Sequence, residues 1–259
     1  MIAGASTSCF YPLETEKSLK KVCELGFKKA EVFFNAECEL KKDFVSELNC
    51  IKDGYGTEIV SVHPHSSFME TQCLFSDYER RFFDILPLYE RYFEVCRELG
   101  AALVVLHGAH KRTKIPIPDE RYFERFNILA EKAKANGVVL AQENVNLFKS
   151  ESIEFLKRMR SETGDNFHLV FDIKQTIRAK QDTFEFLNEF KNDICHVHLS
   201  DNNSERDCLP PGRGVFDIKK TENILNKANY NGNYVIEIYS SGFDVEKELI
   251  LSKNYLDNL

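Results

Sequence analysis

Ile194-Cys195-His196-Val197-His198-Leu199-Ser200-Asp201 decides how the whole chain is read. Apolar and β-branched residues alternate along it, so the run predicts a strand with His196 and His198 on one face and polar residues at its C-terminal tip. Three other short apolar runs close on an acid in the same way: Val138-Val139-Leu140-Ala141-Gln142-Glu143, His168-Leu169-Val170-Phe171-Asp172 and Tyr234-Val235-Ile236-Glu237. A carboxylate at the end of an apolar strand is costly unless a cation, a proton or a hydrogen-bond donor compensates it. Three of them beside a histidine point to one shared cation.

Outward from these runs the chain alternates strand-like and helix-like segments. Strands are expected over 1–8, 29–34, 58–65, 101–107, 138–143, 167–172, 194–199 and 233–239. Amphipathic helices are expected over 13–25, 40–53, 78–99, 119–135, 151–162, 182–191, 217–229 and 244–257, several ending at a glycine such as Gly26, Gly54 or Gly100. The stretch between 66 and 77 reads as a loop long enough to act as a lid. Eight strands each followed by a helix, without a break in composition, predict a single (β/α)₈ TIM barrel over 1–259. The rival, an open doubly wound sheet, has no support in the first βα turn, Ala5-Ser6-Thr7-Ser8-Cys9-Phe10-Tyr11, which lacks the G-x-G-x-x-G of a dinucleotide site.

Bulk properties narrow the function. The 259 residues carry 34 basic and 41 acidic side chains, a net charge of −7, which argues against a nucleic-acid or anionic-membrane partner. No apolar run reaches the ~18 residues of a membrane span, and Met1-Ile2-Ala3-Gly4-Ala5-Ser6 has no basic leader region, so a cytoplasmic location is expected. The eight cysteines form no C-x-x-C pair and read as reduced packing residues.

In a barrel the chemistry sits where strands end. Glu143, Asp172, His198 and Glu237 close four consecutive strands, so they converge on one point. Three carboxylates and an imidazole suit Mn²⁺ or Mg²⁺, with Co²⁺ or Zn²⁺ as further options. The alternative is a set of barrel-mouth polar residues linked only by hydrogen bonds. His65 and His107 close two more strands and are candidates for binding substrate hydroxyls. His63 and His196 share their phase one layer deeper and read as supporting groups.

Gln142-Glu143-Asn144, Phe171-Asp172-Ile173-Lys174-Gln175, His196-Val197-His198-Leu199-Ser200-Asp201, Pro210-Pro211-Gly212-Arg213-Gly214 and Val235-Ile236-Glu237, in this order and spacing, resemble the xylose isomerase-like TIM barrels. These include sugar and sugar-phosphate isomerases and epimerases, inosose dehydratases and apurinic-site endonucleases. The resemblance implies one divalent metal, Mn²⁺ first, on Glu143, Asp172, His198 and Glu237. It also implies Glu143 and Glu237 as the acid and base that move a proton beside a ketose carbonyl through a metal-stabilised enediolate.

The chain departs from that pattern at two substrate-contacting positions. Lys149 stands where ketose epimerases carry a second glutamate, and Gln175 where they carry a histidine. Lys149, Arg206 and Arg213 are candidates for meeting an anionic group on the substrate; each also reads as a solvated loop charge. In the endonuclease reading His65 and His107 hold a second metal, but Gln175 and Arg206-Asp207-Cys208 replace residues that further metals require. The expectation is therefore a metal-dependent sugar (phosphate) isomerase or epimerase acting on a small-molecule sugar. A dehydratase-like lyase, an endonuclease-like phosphodiesterase and a non-catalytic sugar binder are the alternatives. The relatives' habit of pairing makes a homo-oligomer compatible.

Overall fold

The computed structural model describes residues 1–239 and 242–259. Eight parallel strands close into a barrel in sequence order, β1 (Ala3–Ser6), β2 (Lys29–Phe33), β3 (Glu58–His63), β4 (Leu103–Leu106), β5 (Val139–Glu143), β6 (Leu169–Asp172), β7 (Ile194–Leu199) and β8 (Asn233–Ile236). Closure comes from β1 pairing with β8, with Ala3 opposite Tyr234 and Ala5 opposite Ile236. Eight longer helices follow the strands: Thr15–Glu24, Lys42–Tyr55, Glu79–Glu98, Asp119–Ala135, Ile153–Thr163, Thr183–Phe190, Ile218–Lys227 and Val245–Asp257. Among the described residues none is long and apolar enough to cross a membrane.

Strand alternation sorts the core into two layers. Leu103, Val105, Ala141 and Val170 form one small cluster, whereas their neighbours Val104, Leu106, Leu140, Leu169 and Phe171 join the large cluster that contains the helices. Glu143 is in phase with Ala141, and Asp172 with Val170, so both acids point inward above an apolar plug. Two bulges set the level of the inward polar residues. Val60 is an extra residue in β3, which brings Glu31 opposite Ser61. Cys195 is an extra residue in β7, which brings Asp172 opposite His198.

Three local features differ from the sequence-based expectation. Helix Lys42–Tyr55 runs through Gly54, and Gly56 (φ +61°) makes the left-handed cap instead, because that residue must reverse the chain. The 66–77 stretch is not an open loop: a 3₁₀ turn, His65–Met69, leads into a short helix, Glu70–Cys73, that buries Glu70. A further short helix, Ile173–Arg178, follows β6 directly, its first turn capped by Asp172, whose Oδ1 accepts from the Gln175 amide. The cysteines are all unpaired; Cys9, Cys23 and Cys96 are buried as packing residues, whereas Cys38 and Cys50 are exposed.

Candidate functional site

Glu143 ends β5, Asp172 ends β6, His198 is the penultimate residue of β7, and Glu237 follows β8. One ligand atom from each lies within 4.8 Å of the others. The centre of the group is His198 Nδ1, 3.5 Å from Glu143 Oε1, 3.6 Å from Asp172 Oδ2 and 3.2 Å from Glu237 Oε2. All four side chains are buried. Lys174, on the short helix after β6, is buried with them and donates to Asp172 Oδ2 and Glu237 Oε2.

Backbone and side-chain bonds fix these groups from behind. Asn144 Nδ2 donates to the Asp172 carbonyl (3.0 Å), and the Asp172 amide donates to Asn144 Oδ1 (2.7 Å). Gln142, in the outward phase, donates to the carbonyls of Leu106 and His107 and accepts from the Tyr122 hydroxyl (2.6 Å), tying β5 to β4. Beneath His198, Glu31 Oε2 lies 3.0 Å from His198 Nε2 and 3.3 Å from His196 Nε2, and accepts from Ser61 (2.8 Å). A proton on His198 Nε2, aimed at Glu31, would leave the Nδ1 lone pair facing the carboxylates when a cation takes the place of the second ring proton.

That arrangement fits a divalent cation. His198 Nδ1 and Glu143 Oε2 are buried and have no hydrogen-bond partner among the described residues. His107 Nε2 stands 2.9 Å from Glu143 Oε2, near enough for charge attraction. Orphaned buried acceptors of this kind are rare unless something absent satisfies them. Burial raises the carboxyl of Glu143, but His107, His198 and His63 together outweigh it and hold the group well below the usual range. Glu237 is likewise held low, burial being outweighed by Lys174 and then His198. Both glutamates are held in the ionised form.

A cavity of about 320 Å³ opens onto this group, lined by Ser8, Tyr11, Phe33, Asn35, His63, His107, Glu143, Lys174, Gln175, Glu237 and Tyr239. Of the four converging residues only Glu143 and Glu237 reach its wall; Asp172 and His198 lie behind. Gln175 Oε1 accepts from the Asn146 amide (3.1 Å), which leaves the Gln175 NH₂ as a donor toward the cavity. A groove of about 700 Å³ adjoins this cavity through Tyr239 and one of about 920 Å³ lies elsewhere, but neither contains the acid–histidine chemistry.

A profile of the xylose isomerase-like TIM barrel family matches residues 19–258. The chain belongs to that family. Inosose dehydratases of two Clostridium perfringens strains are 24% identical over 172 residues, 54% of the chain and 58% of the dehydratase, so the match spans little more than half of those proteins. Protein MJ1311 of Methanocaldococcus jannaschii is 25% identical over 275 residues, covering 98% of the chain and 89% of MJ1311. Among solved structures, 3-keto-D-glucoside 4-epimerase YcjR from E. coli superposes with a TM-score of 0.81 at 18% identity, covering 100% of both chains. A D-tagatose 3-epimerase-like protein superposes at 0.79 with 22% identity, covering 100% of the chain and 96% of that structure.

This xylose isomerase-like barrel brings together Glu143, Asp172, His198 and Glu237, and adds His107 and Gln175 at the cavity wall. The other sequence candidates point elsewhere. His65 meets the Tyr92 hydroxyl and is absent from the cavity lining, because β3 ends at His63 and the chain turns before reaching it. His63 takes its place: its Nε2 is 2.9 Å from His107 Nε2, and His63, His107 and Glu143 form a second convergent group. Lys149 donates to Asp119, Arg213 to Glu248, and Arg206 lines the 700 Å³ groove on the other side of Tyr239. The glycines flanking Arg213 explain that motif structurally. Gly212 and Gly214 amides donate to Asp201 Oδ2, and a Cβ on Gly214 would sit 2.2 Å from the Asn202 carbonyl.

Glu31 and Lys174 escaped the sequence reading. The signal for each was present: an acid inside the apolar run Lys29-Ala30-Glu31-Val32-Phe33, and a lysine two residues beyond a strand-closing aspartate. A charged residue in such a place needs a buried partner.

Proposed function

We propose that this chain is a divalent-metal-dependent isomerase or epimerase of a sugar or sugar derivative. Glu143, Asp172, His198 and Glu237 hold the ion, with Mn²⁺ the first choice for a set of three carboxylates and one imidazole. Bound there, the ion supplies a Lewis acid for a substrate carbonyl and its neighbouring hydroxyl.

The observation that carries the reading is that, of the four converging residues, only the two glutamates line the cavity. They belong to the first and last of four consecutive strands, β5 and β8, so they flank whatever enters. Each is held ionised, so either can accept a proton from a carbon next to a carbonyl. In an epimerisation one glutamate removes the proton and the other returns one to the opposite face; in a 1,2-isomerisation a single glutamate carries it between neighbouring carbons. Gln175 and His107 contribute hydrogen bonds that orient hydroxyl groups, and the Tyr11, Phe33 and Tyr239 rings cover the apolar face of a sugar. The epimerases among the structural neighbours support the same reading.

The match to inosose dehydratases supports a second reading, in which the same base removes the proton but the neighbouring hydroxyl leaves as water. One experiment addresses both. The Mn²⁺-loaded protein is incubated in D₂O with a panel of ketoses and keto-polyols, and the recovered material is read by NMR and mass spectrometry. Deuterium at the carbon beside the carbonyl is the expected result, and a product lighter by one water selects the dehydratase. Loss of neither proton nor water from any member of the panel overturns the proposal.

A further inference from the structure

We infer that Lys174 is a resident cation of the centre, sharing Asp172 and Glu237 with the metal ion and setting how tightly the ion is held. The inference rests on the metal-binding reading above. Lys174 is buried to 2% exposure, a rare state for a lysine, and its ammonium donates to two of the four proposed ligands. It is brought there by the short helix Ile173–Arg178, which begins on Asp172 and folds the side chain back over the strand end. Its outer side is covered by the Tyr239 ring, whose centroid is 6.0 Å from Nζ.

Charge balance explains why a lysine belongs in this place. The three carboxylates of the proposed ligand set leave one negative charge uncompensated by a dication; a dication and one ammonium neutralise that set, while Glu31 lies behind it against His196 and His198. Without the ion, Lys174 keeps Asp172 and Glu237 from repelling each other, so the centre stays assembled. With the ion, the ammonium repels it and competes for the same two oxygens. Affinity is therefore lower than the donor set alone would confer, and the site exchanges its metal readily.

The test is Mn²⁺ binding measured by isothermal titration calorimetry on wild type, Lys174→Met and Lys174→Gln, with melting temperatures recorded with and without ion. Both variants are expected to bind at least about tenfold more tightly than wild type, as removal of a like charge at contact distance requires. Both should melt lower than wild type without the ion and gain more when it is added. A variant that folds only with Mn²⁺ supports the inference in its strongest form. Binding no tighter than wild type, or a failure to fold even with the ion, overturns it. If wild type and variants alike bind no ion, the metal-binding reading falls as well; equal binding by all three sinks this inference alone.

Discussion

Glu31 and His198 face each other across the barrel from β2 and β7, carboxylate oxygen to Nε2 at 3.0 Å. The pair decides which imidazole nitrogen is free. If Nε2 carries the proton toward Glu31, Nδ1 is committed to the metal side, and the ring cannot turn without breaking that bond. Glu31→Gln keeps the shape but presents an amide that no longer accepts from both histidines. Affinity for Mn²⁺ should fall about 10–100-fold, read by calorimetry on folded protein. Unchanged affinity would show that His198 is held without Glu31.

Glu143→Gln separates proton transfer from folding. The side chain keeps its size at the cavity wall and loses its basicity. Turnover, measured as deuterium wash-in, should drop by about 10²–10⁴, with the far-ultraviolet circular dichroism unchanged. A variant as fast as wild type would remove Glu143 from the reaction.

Glu70 gives a pH signature unrelated to metal. Desolvation lifts its carboxyl from 4.5 to about 7, opposed by His107 and by the Gly108 amide and Tyr89 hydroxyl that donate to it. A folded-state value above the unfolded one means that the stabilisation is complete below about 4.5 and is lost as pH rises through about 7. Glu70→Gln cannot ionise and loses that dependence. The difference in unfolding free energy between wild type and variant should shift by about 2.5 kcal/mol between pH 5 and pH 8, with wild type relatively weaker at pH 8. Urea titrations in a chelating buffer measure it, and a difference that is constant with pH would refute the raised value.

Gly214→Ala probes the Asp201 clamp. The added methyl would meet the Asn202 carbonyl at 2.2 Å and Asp201 Oδ1 at 2.3 Å, so the loop after β7 must move. A loss of about 1–3 kcal/mol in stability is expected, from denaturant melts. A neutral effect would mean that this loop yields easily.

The fold was legible because two periodicities alternate along the chain and because four strand runs close on the residues that matter. Those ends proved to be neighbours, since β5 to β8 are consecutive in the barrel. The support beneath them was legible only as an acid in an apolar run that needs a partner, not as which partner it meets. Glu31 reaches His198 from the opposite wall, and the bulges at Val60 and Cys195 that set their levels leave no mark in spacing. Loop side chains escaped for a different reason. The directions of Lys149, Arg206 and Arg213 depend on which partner lies nearest, and two of the three found carboxylates on neighbouring helices. His65 was two residues too late: the strand stops at His63, which its phase already aimed inward.

The acids and imidazole sit at strand ends, whereas Tyr11, Asn35 and Tyr239 on the same chamber wall lie outside the strands and helices. The bulge at Cys195 keeps Asp172 opposite His198 through backbone pairing alone, whatever those outer segments carry. Exchanging one βα turn would thus reshape the chamber and leave the four converging side chains where they are.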